Sequence, residues 1–143
     1  MSDFNSHLID QIRVSNGRLT EGPFAGRQVL VLTTTGAKSG EKRETPLVYT
    51  RDGDDIVIVA SMGGAPSNPA WYHNIVANPR VAIEVDGQKF QADARIFKDG
   101  DERRRLYDQH AQIHESFTEY EARTGGRVIP VIVLKRIAAS AAA

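Results

Sequence analysis

Apolar positions along the chain change period several times, and each change predicts an element. Phe4, Leu8, Ile9 and Ile12 recur at helical spacing, which predicts an amphipathic helix over about 3–14, ended by Asn16-Gly17. Short runs rich in β-branched residues follow and predict strands at 28–35, 43–50 and 55–61. The last two are joined by Arg51-Asp52-Gly53-Asp54, in which Asp52-Gly53 is a hairpin signal. Ser67-Asn68-Pro69-Ala70-Trp71 reads as a helix start, with Ser67 or Asn68 as N-cap and Pro69 at the first helical position. That helix must stop by Ala77, because Asn78-Pro79 forbids its continuation. A second hairpin joins 81–85 to 90–97 through Asp86-Gly87. A long helical region then runs from Asp99–Asp101 to about Arg123, broken near His114. The run 128–134 closes the chain as a strand, and Pro130 within it predicts an edge or a bulge.

Five or six antiparallel strands with one inserted and one late helix fit a small barrel, mainly β with flanking helices. A parallel doubly wound sheet would need helices between nearly all strands. At 143 residues the chain reads as one domain, with an N-terminal helix over 1–17, the barrel over 22–135 and a frayed Ala-rich tail over 138–143. Its 18 basic and 18 acidic residues cancel, which argues against a general nucleic-acid surface. The absence of cysteine excludes disulfides, thiol nucleophiles and thiolate metal sites, and fits a cytoplasmic protein. No apolar run approaches the roughly 20 residues of a membrane span.

Candidate chemistry is concentrated between Thr33 and Asn74. Gly36 and Gly40 bracket Ala37, Lys38 and Ser39, so backbone N–H groups can converge on one point, near which Lys38, Lys42 and Arg43 add cations and Ser39 and Thr45 hydroxyls. A phosphate or carboxylate suits such a turn; an ordinary solvated hairpin tip with basic residues is the competing reading. Beyond Ile56–Ser61 the side chains nearly vanish at Met62-Gly63-Gly64-Ala65-Pro66, as a close approach to a planar ligand would require. Trp71, the only Trp, sits in the next helix start and is equally suited to a core role. His7, His73, His110 and His114 share no metal-ligand spacing, so no metal site is expected.

The segments LTTTGAKSGEKRETPLVY, VASMGGAPSNPAWYHNIVANPRV and RVIPVIVL are similar to the deazaflavin-dependent nitroreductase family of split-barrel reductases, which use coenzyme F420. The resemblance runs from about Gly22 to Lys135 and implies a split β-barrel of about six mostly antiparallel strands that transfers a hydride from reduced deazaflavin to a hydrophobic acceptor: a quinone, an activated alkene or a nitroaromatic. It implies that Lys38 and Arg43, with Ser39 and Lys42, hold the phosphate and acidic tail. Thr45, Pro46 and Leu47 would follow the ring, Val59, Ala60, Ser61, Met62 and Gly63 would face its edge, and Ala70 and Trp71 would close the ribityl side. Val48, His114, Phe117 and Tyr120 would shape the acceptor pocket, with Tyr120 and Ser61 bordering the reaction and Tyr120 a proton donor. Val48 and Met62 stand where the founding nitroreductase has a tyrosine and a basic residue, which puts nitroimidazole reduction in doubt here. An FMN-dependent split-barrel reductase and a non-catalytic F420 carrier are the alternatives. Monomer or homodimer, and peripheral membrane contact through the N-terminal helix, stay open.

Overall fold

The computed structural model describes residues 3–16, 18–19, 26–61, 64 and 67–137. In chain order its elements are α1 (Asp3–Ser15), β1 (Val29–Thr35), β2 (Lys42–Val48), β3 (Thr50–Asp52), β4 (Asp55–Val59), α2 (Ala70–Ala77), β5 (Arg80–Val85), β6 (Gln88–Phe97), α3 (Gly100–Ile113), α4 (Ser116–Arg123) and β7 (Val131–Arg136). The strands form one sheet in the order β2-β1-β5-β6-β7-β4-β3, antiparallel at every pairing.

The run expected as a single strand over 43–50 is two strands. Val48 lies opposite Val29 on β1, whereas Thr50 lies opposite Val57 on β4. Only Tyr49 separates them. The two ends of the strand order are therefore consecutive pieces of chain, and the sheet curls until its edges meet at Tyr49. The result is a barrel of six staves, as the sequence predicts, in which β2 and β3 share one stave.

Alternation assigns each strand residue a side. Leu30, Leu32, Ile56, Ile58, Val81, Ile83, Ile132 and Leu134 pack inside the barrel with Trp71, Tyr72 and Ile75 of α2. The intervening Val57, Val59, Val131 and Val133 face Leu106, Tyr107 and Phe117 of α3 and α4. Val29 and Val31 face Leu8, Ile9 and Ile12 of α1. Strands covered on both faces read as continuous apolar runs, which is why β1, β4 and β7 show no polar alternation. The hairpins behave as expected: Asp86 (φ 51) and Gly87 (φ 78) both take positive φ in the β5–β6 turn, and Gly53 does so (φ 63) in the β3–β4 turn. Asn16 itself, at φ 56, ends α1.

Two boundaries differ from the sequence reading. The N-cap of α2 is Pro69, with no side-chain cap bond, because the Asn68 side chain is taken by Arg127. The last strand starts at Val131 and lies between β6 and β4, neither at an edge nor bulged by a proline. Pro130 precedes it, and its carbonyl accepts a hydrogen bond from Ala60 N–H at 3.0 Å. The expected tail at 138–143, together with Gly17, lies outside the described residues, as does the side chain of Phe4. Among the described residues no helix is long and apolar enough to cross a membrane.

Candidate active site

Register shows where the barrel is split. Hydrogen bonds Gly36 N–H to Glu41 O at 2.7 Å and Tyr49 N–H to Gln28 O at 3.1 Å set the parity of the β1–β2 ladder. Lys42, Glu44, Pro46 and Val48 consequently direct their backbone groups away from β1, toward an edge no strand covers. Pro46, which has no N–H, falls at a position where none is needed. Across the gap β4 pairs with β3 only up to Val57. Ala60 bonds toward Pro130, on the β7 side, so by alternation Val59 directs its backbone groups into the gap. The cleft thus opens from Tyr49 upward, with β2 as one wall and the end of β4 as the other.

Several of the predicted residues converge here. Val48, Phe117 and Tyr120 pack in one cluster with Val57 and Val59, and the Phe117 and Tyr120 rings meet edge-on at 5.0 Å. Ser61 is buried at the end of β4. Thr45 and Leu47 lie opposite Leu32 and Leu30, so their side chains face the barrel interior, and by the same parity their backbone groups bond toward β1 and not into the cleft. Trp71 is likewise a core residue, packed inside the barrel, whereas Ala70 beside it is exposed. Met62 and Gly63 lie outside the described residues.

At the far end of β2 sits the Gly36–Gly40 turn. Gly40, at φ 73, lets its N–H return to Gly36 O at 3.0 Å. Ala37 N–H donates to Asn74 Oδ1 at 3.0 Å while Asn74 Nδ2 donates to Thr34 Oγ1 at 3.1 Å, so α2 holds the turn in place. Ser39 Oγ accepts from Glu41 N–H. Lys38 is exposed and has no side-chain partner among the described residues. Lys42 donates to Thr35 Oγ1 at 2.9 Å, and Arg43 pairs with Glu41 at 3.4 Å. Neighbours on a strand point to opposite faces, so Lys42 lies on the α1 side and Arg43 on the other; the three cations flank the turn and do not converge on a single point.

Three positioning features were not legible in the sequence. Arg127 donates to Ser61 O at 2.8 Å and Ala60 O at 3.1 Å as well as to Asn68, latching the chain where it leaves β4. Burial lowers its pKa from the ordinary arginine value. Asn74 is the second. The third is a ladder of α3 side chains along β3: Arg105 to Asp52, Gln109 Nε2 to Arg51 O at 2.8 Å, His110 with Thr50 at 3.1 Å and His114 Nε2 to Tyr49 O at 3.0 Å. With Asp52 opposite Asp55 across a two-residue turn, the outward carbonyls of β3 are those of Tyr49 and Arg51, and these are the two that α3 satisfies. His114 is thus buried, at 1% exposure, and is no direct part of the cleft surface.

Gly64 also has a different task from the one its sequence context suggests. At φ 84 it lies against α4, where an added Cβ would come within 2.8 Å of Tyr120 O and 2.9 Å of Arg123 Cβ. Gly64→Ala should therefore lower stability by about 2 kcal/mol, combining left-handed strain with a backbone clash. Urea unfolding measures this, and a variant as stable as the parent would show that Gly64 does not pack on α4 in solution.

Comparison with known proteins supplies a further finding. A family profile described as F420H(2)-dependent quinone reductase matches residues 7–136. An F420H(2)-dependent quinone reductase of Mycobacterium tuberculosis (strain H37Rv) is 42% identical over 126 residues, covering 87% of this chain and 84% of that protein. Among solved structures, an F420-H2 dependent reductase superposes with a TM-score of 0.69 at 35% identity, over 76% of this chain and 95% of that one. A chain described as a domain-swapped dimer superposes with a TM-score of 0.70 at 32% identity, over 94% of this chain and all of that one, 100%.

Proposed function

Because the chain belongs to the F420H(2)-dependent quinone reductase family, we propose that the cleft between β2 and β4 holds reduced coenzyme F420 against a quinone bordered by Val48 and Tyr120. The chain is an F420-dependent reductase. The observation that carries the placement is the pair of strand edges that no strand covers among the described residues: Glu44, Pro46 and Val48 on β2 and Val59 on β4 offer backbone donors and acceptors across the gap. A planar heterocycle with amide-like edges satisfies both walls, which an apolar ligand would leave unpaired.

The coenzyme, when bound, supplies the hydride; the protein's residues hold, align and shield. The Lys38 side chain and the backbone N–H groups of Lys38 and Ser39, which have no partner among the described residues, bind its phosphate, with Asn74 keeping the turn in place. Arg43 and Lys42, one on each face of β2, serve the acidic tail. Tyr120, half-buried at the cleft edge, gives the proton that completes reduction of a quinone to its hydroquinone, and Ser61 borders the same acceptor. Enones and nitroaromatics are further acceptors under this reading, since each accepts a hydride and a proton. The domain-swapped relative makes a homodimer the assembly to test. Membrane contact through α1 would require undocking, because Leu8, Ile9 and Ile12 are buried against β1.

The test is a fluorescence titration with oxidised and reduced F420, then addition of menadione, cyclohexenone and a nitroaromatic. Saturable binding with reoxidation by menadione is expected. Binding without turnover by any of the three would favour a carrier, a copurifying FMN spectrum would favour the flavin alternative, and no F420 binding would overturn the reading.

A further inference from the structure

We infer that His114 is a positioning residue that sets the width of the acceptor end of the cleft. This rests on the reading that Val48 and Tyr120 border the acceptor, and its grounds are geometric. Tyr49 is where one stave becomes two: its N–H bonds to Gln28 on the β1 side, and the next residue, Thr50, pairs with β4. Its carbonyl is left to the His114 side chain, which donates from Nε2 at 3.0 Å. The backbone of His114 is a second joint, since it stands between α3 and α4. Its N–H donates to His110 O at 2.9 Å and its carbonyl accepts from Phe117 N–H at 3.0 Å, ending one helix and opening the next. A single residue thus fixes the strand bend that carries Val48 to the helix that carries Phe117 and Tyr120.

Tyr49 O can only accept, so His114 carries a proton on Nε2; its buried Nδ1 has no hydrogen-bond partner among the described residues, which makes the ring the neutral Nε2–H tautomer. His110, 4.9 Å away ring to ring, is an internal control. It is as deeply buried, belongs to the same ladder and meets the Phe117 ring edge-on at 4.5 Å, but its hydrogen bond goes to the Thr50 side chain, beyond the bend, so it controls for loss of a buried ring donor and not of the Tyr49 contact.

The experiment compares His114→Phe, which keeps a ring and loses the donor, with His114→Gln, which keeps a donor, and His110→Phe. For His114→Phe, a tenfold or greater rise in KM for menadione is expected, with Kd for F420 within twofold of the parent. His114→Gln should stay within threefold of the parent in both, and His110→Phe should lose stability while keeping the parent's menadione KM. Equal shifts of Kd and KM in His114→Phe, an unmoved KM, or the same KM rise in His110→Phe would each overturn the inference. Nitrogen-15 NMR of the parent supplies a readout free of turnover: the His114 Nε2–H tautomer is required, and the amide shift at Val48, beside the Tyr49 bend, should move in His114→Phe and hold in His110→Phe. The Nδ1–H tautomer, or an unmoved Val48 amide, would sink it. Parent protein that binds F420 but reduces no menadione would count against the functional reading, with the NMR arm still deciding the role of His114.

Discussion

Lys38→Glu is expected to weaken binding of F420 by about 3 kcal/mol, on the order of a hundredfold in Kd. The parent ammonium is exposed and has no side-chain partner among the described residues, so reversal breaks no internal contact. It places a carboxylate beside the turn amides at which an anion would sit, turning an attraction into a repulsion. Arg43→Glu should have a smaller effect, because Arg43 already shares its charge with Glu41 at 3.4 Å and must exchange that partner for the ligand. Fluorescence titration at two ionic strengths checks both. The Lys38 effect should shrink as salt rises, because exposed charges are screened within about 10 Å at 0.1 M. If the affinity of Lys38→Glu matches the parent, the turn is only a solvated hairpin tip, and the cofactor must be anchored elsewhere.

Acidification should unfold the protein partly through His110. Burial, reinforced by the neighbouring His114, pushes the His110 imidazole down from 6.5 to about 3. His114 is lowered too, chiefly by burial and against its hydrogen bond to Tyr49. A histidine depressed in the fold takes up its proton in the unfolded chain first. Stability is therefore unaffected above pH 6.5, falls as pH drops below it, and stops falling from this source only near pH 3. At pH 4 the contribution of His110 alone is about 3 kcal/mol. Carboxylates add to the slope: Asp52 and Glu84 are held below their ordinary values by hydrogen bonds from Arg105 and Arg13, so their stabilisation is lost as pH falls toward those lowered values. His110→Phe separates the two sources. Its urea-unfolding stability should fall less between pH 7 and pH 4 than the parent's, and equal falls would mean that His110 is solvated in solution.

Much of this architecture was legible in residue patterns. Asp86-Gly87 and Asp52-Gly53 announced their hairpins because a two-residue turn needs positive φ, a demand local to the dipeptide. The stop at Asn78-Pro79 was legible for another local reason, since a proline cannot continue the helix before it. The division at Tyr49 was not, because nothing in Leu47-Val48-Tyr49-Thr50 says that partners change there; that is decided by where β1 and β4 lie. Site legibility divides similarly. The turn could be read from its glycines and cations and the Val48–Tyr120 grouping from motif resemblance, whereas the inward side chains of Thr45 and Leu47 and the core packing of Trp71 depend on strand parity and on what fills the barrel. Arg127 was invisible because its task, holding the carbonyls of Ala60 and Ser61, exists only once residues 67 and 66 positions away are neighbours. Gly64 misled in a different way, since a glycine required by a packed helix looks the same in sequence as one required by a ligand.

The insertion of β7 between β6 and β4 has a consequence for how the chain is made. Until residues 131–136 leave the ribosome, Ile56–Val59 and Ala92–Phe97 each present a strand edge with unsatisfied backbone groups. Vectorial synthesis therefore yields a nearly complete barrel with one stave missing from its middle, and two such nascent chains can each accept the other's last strand.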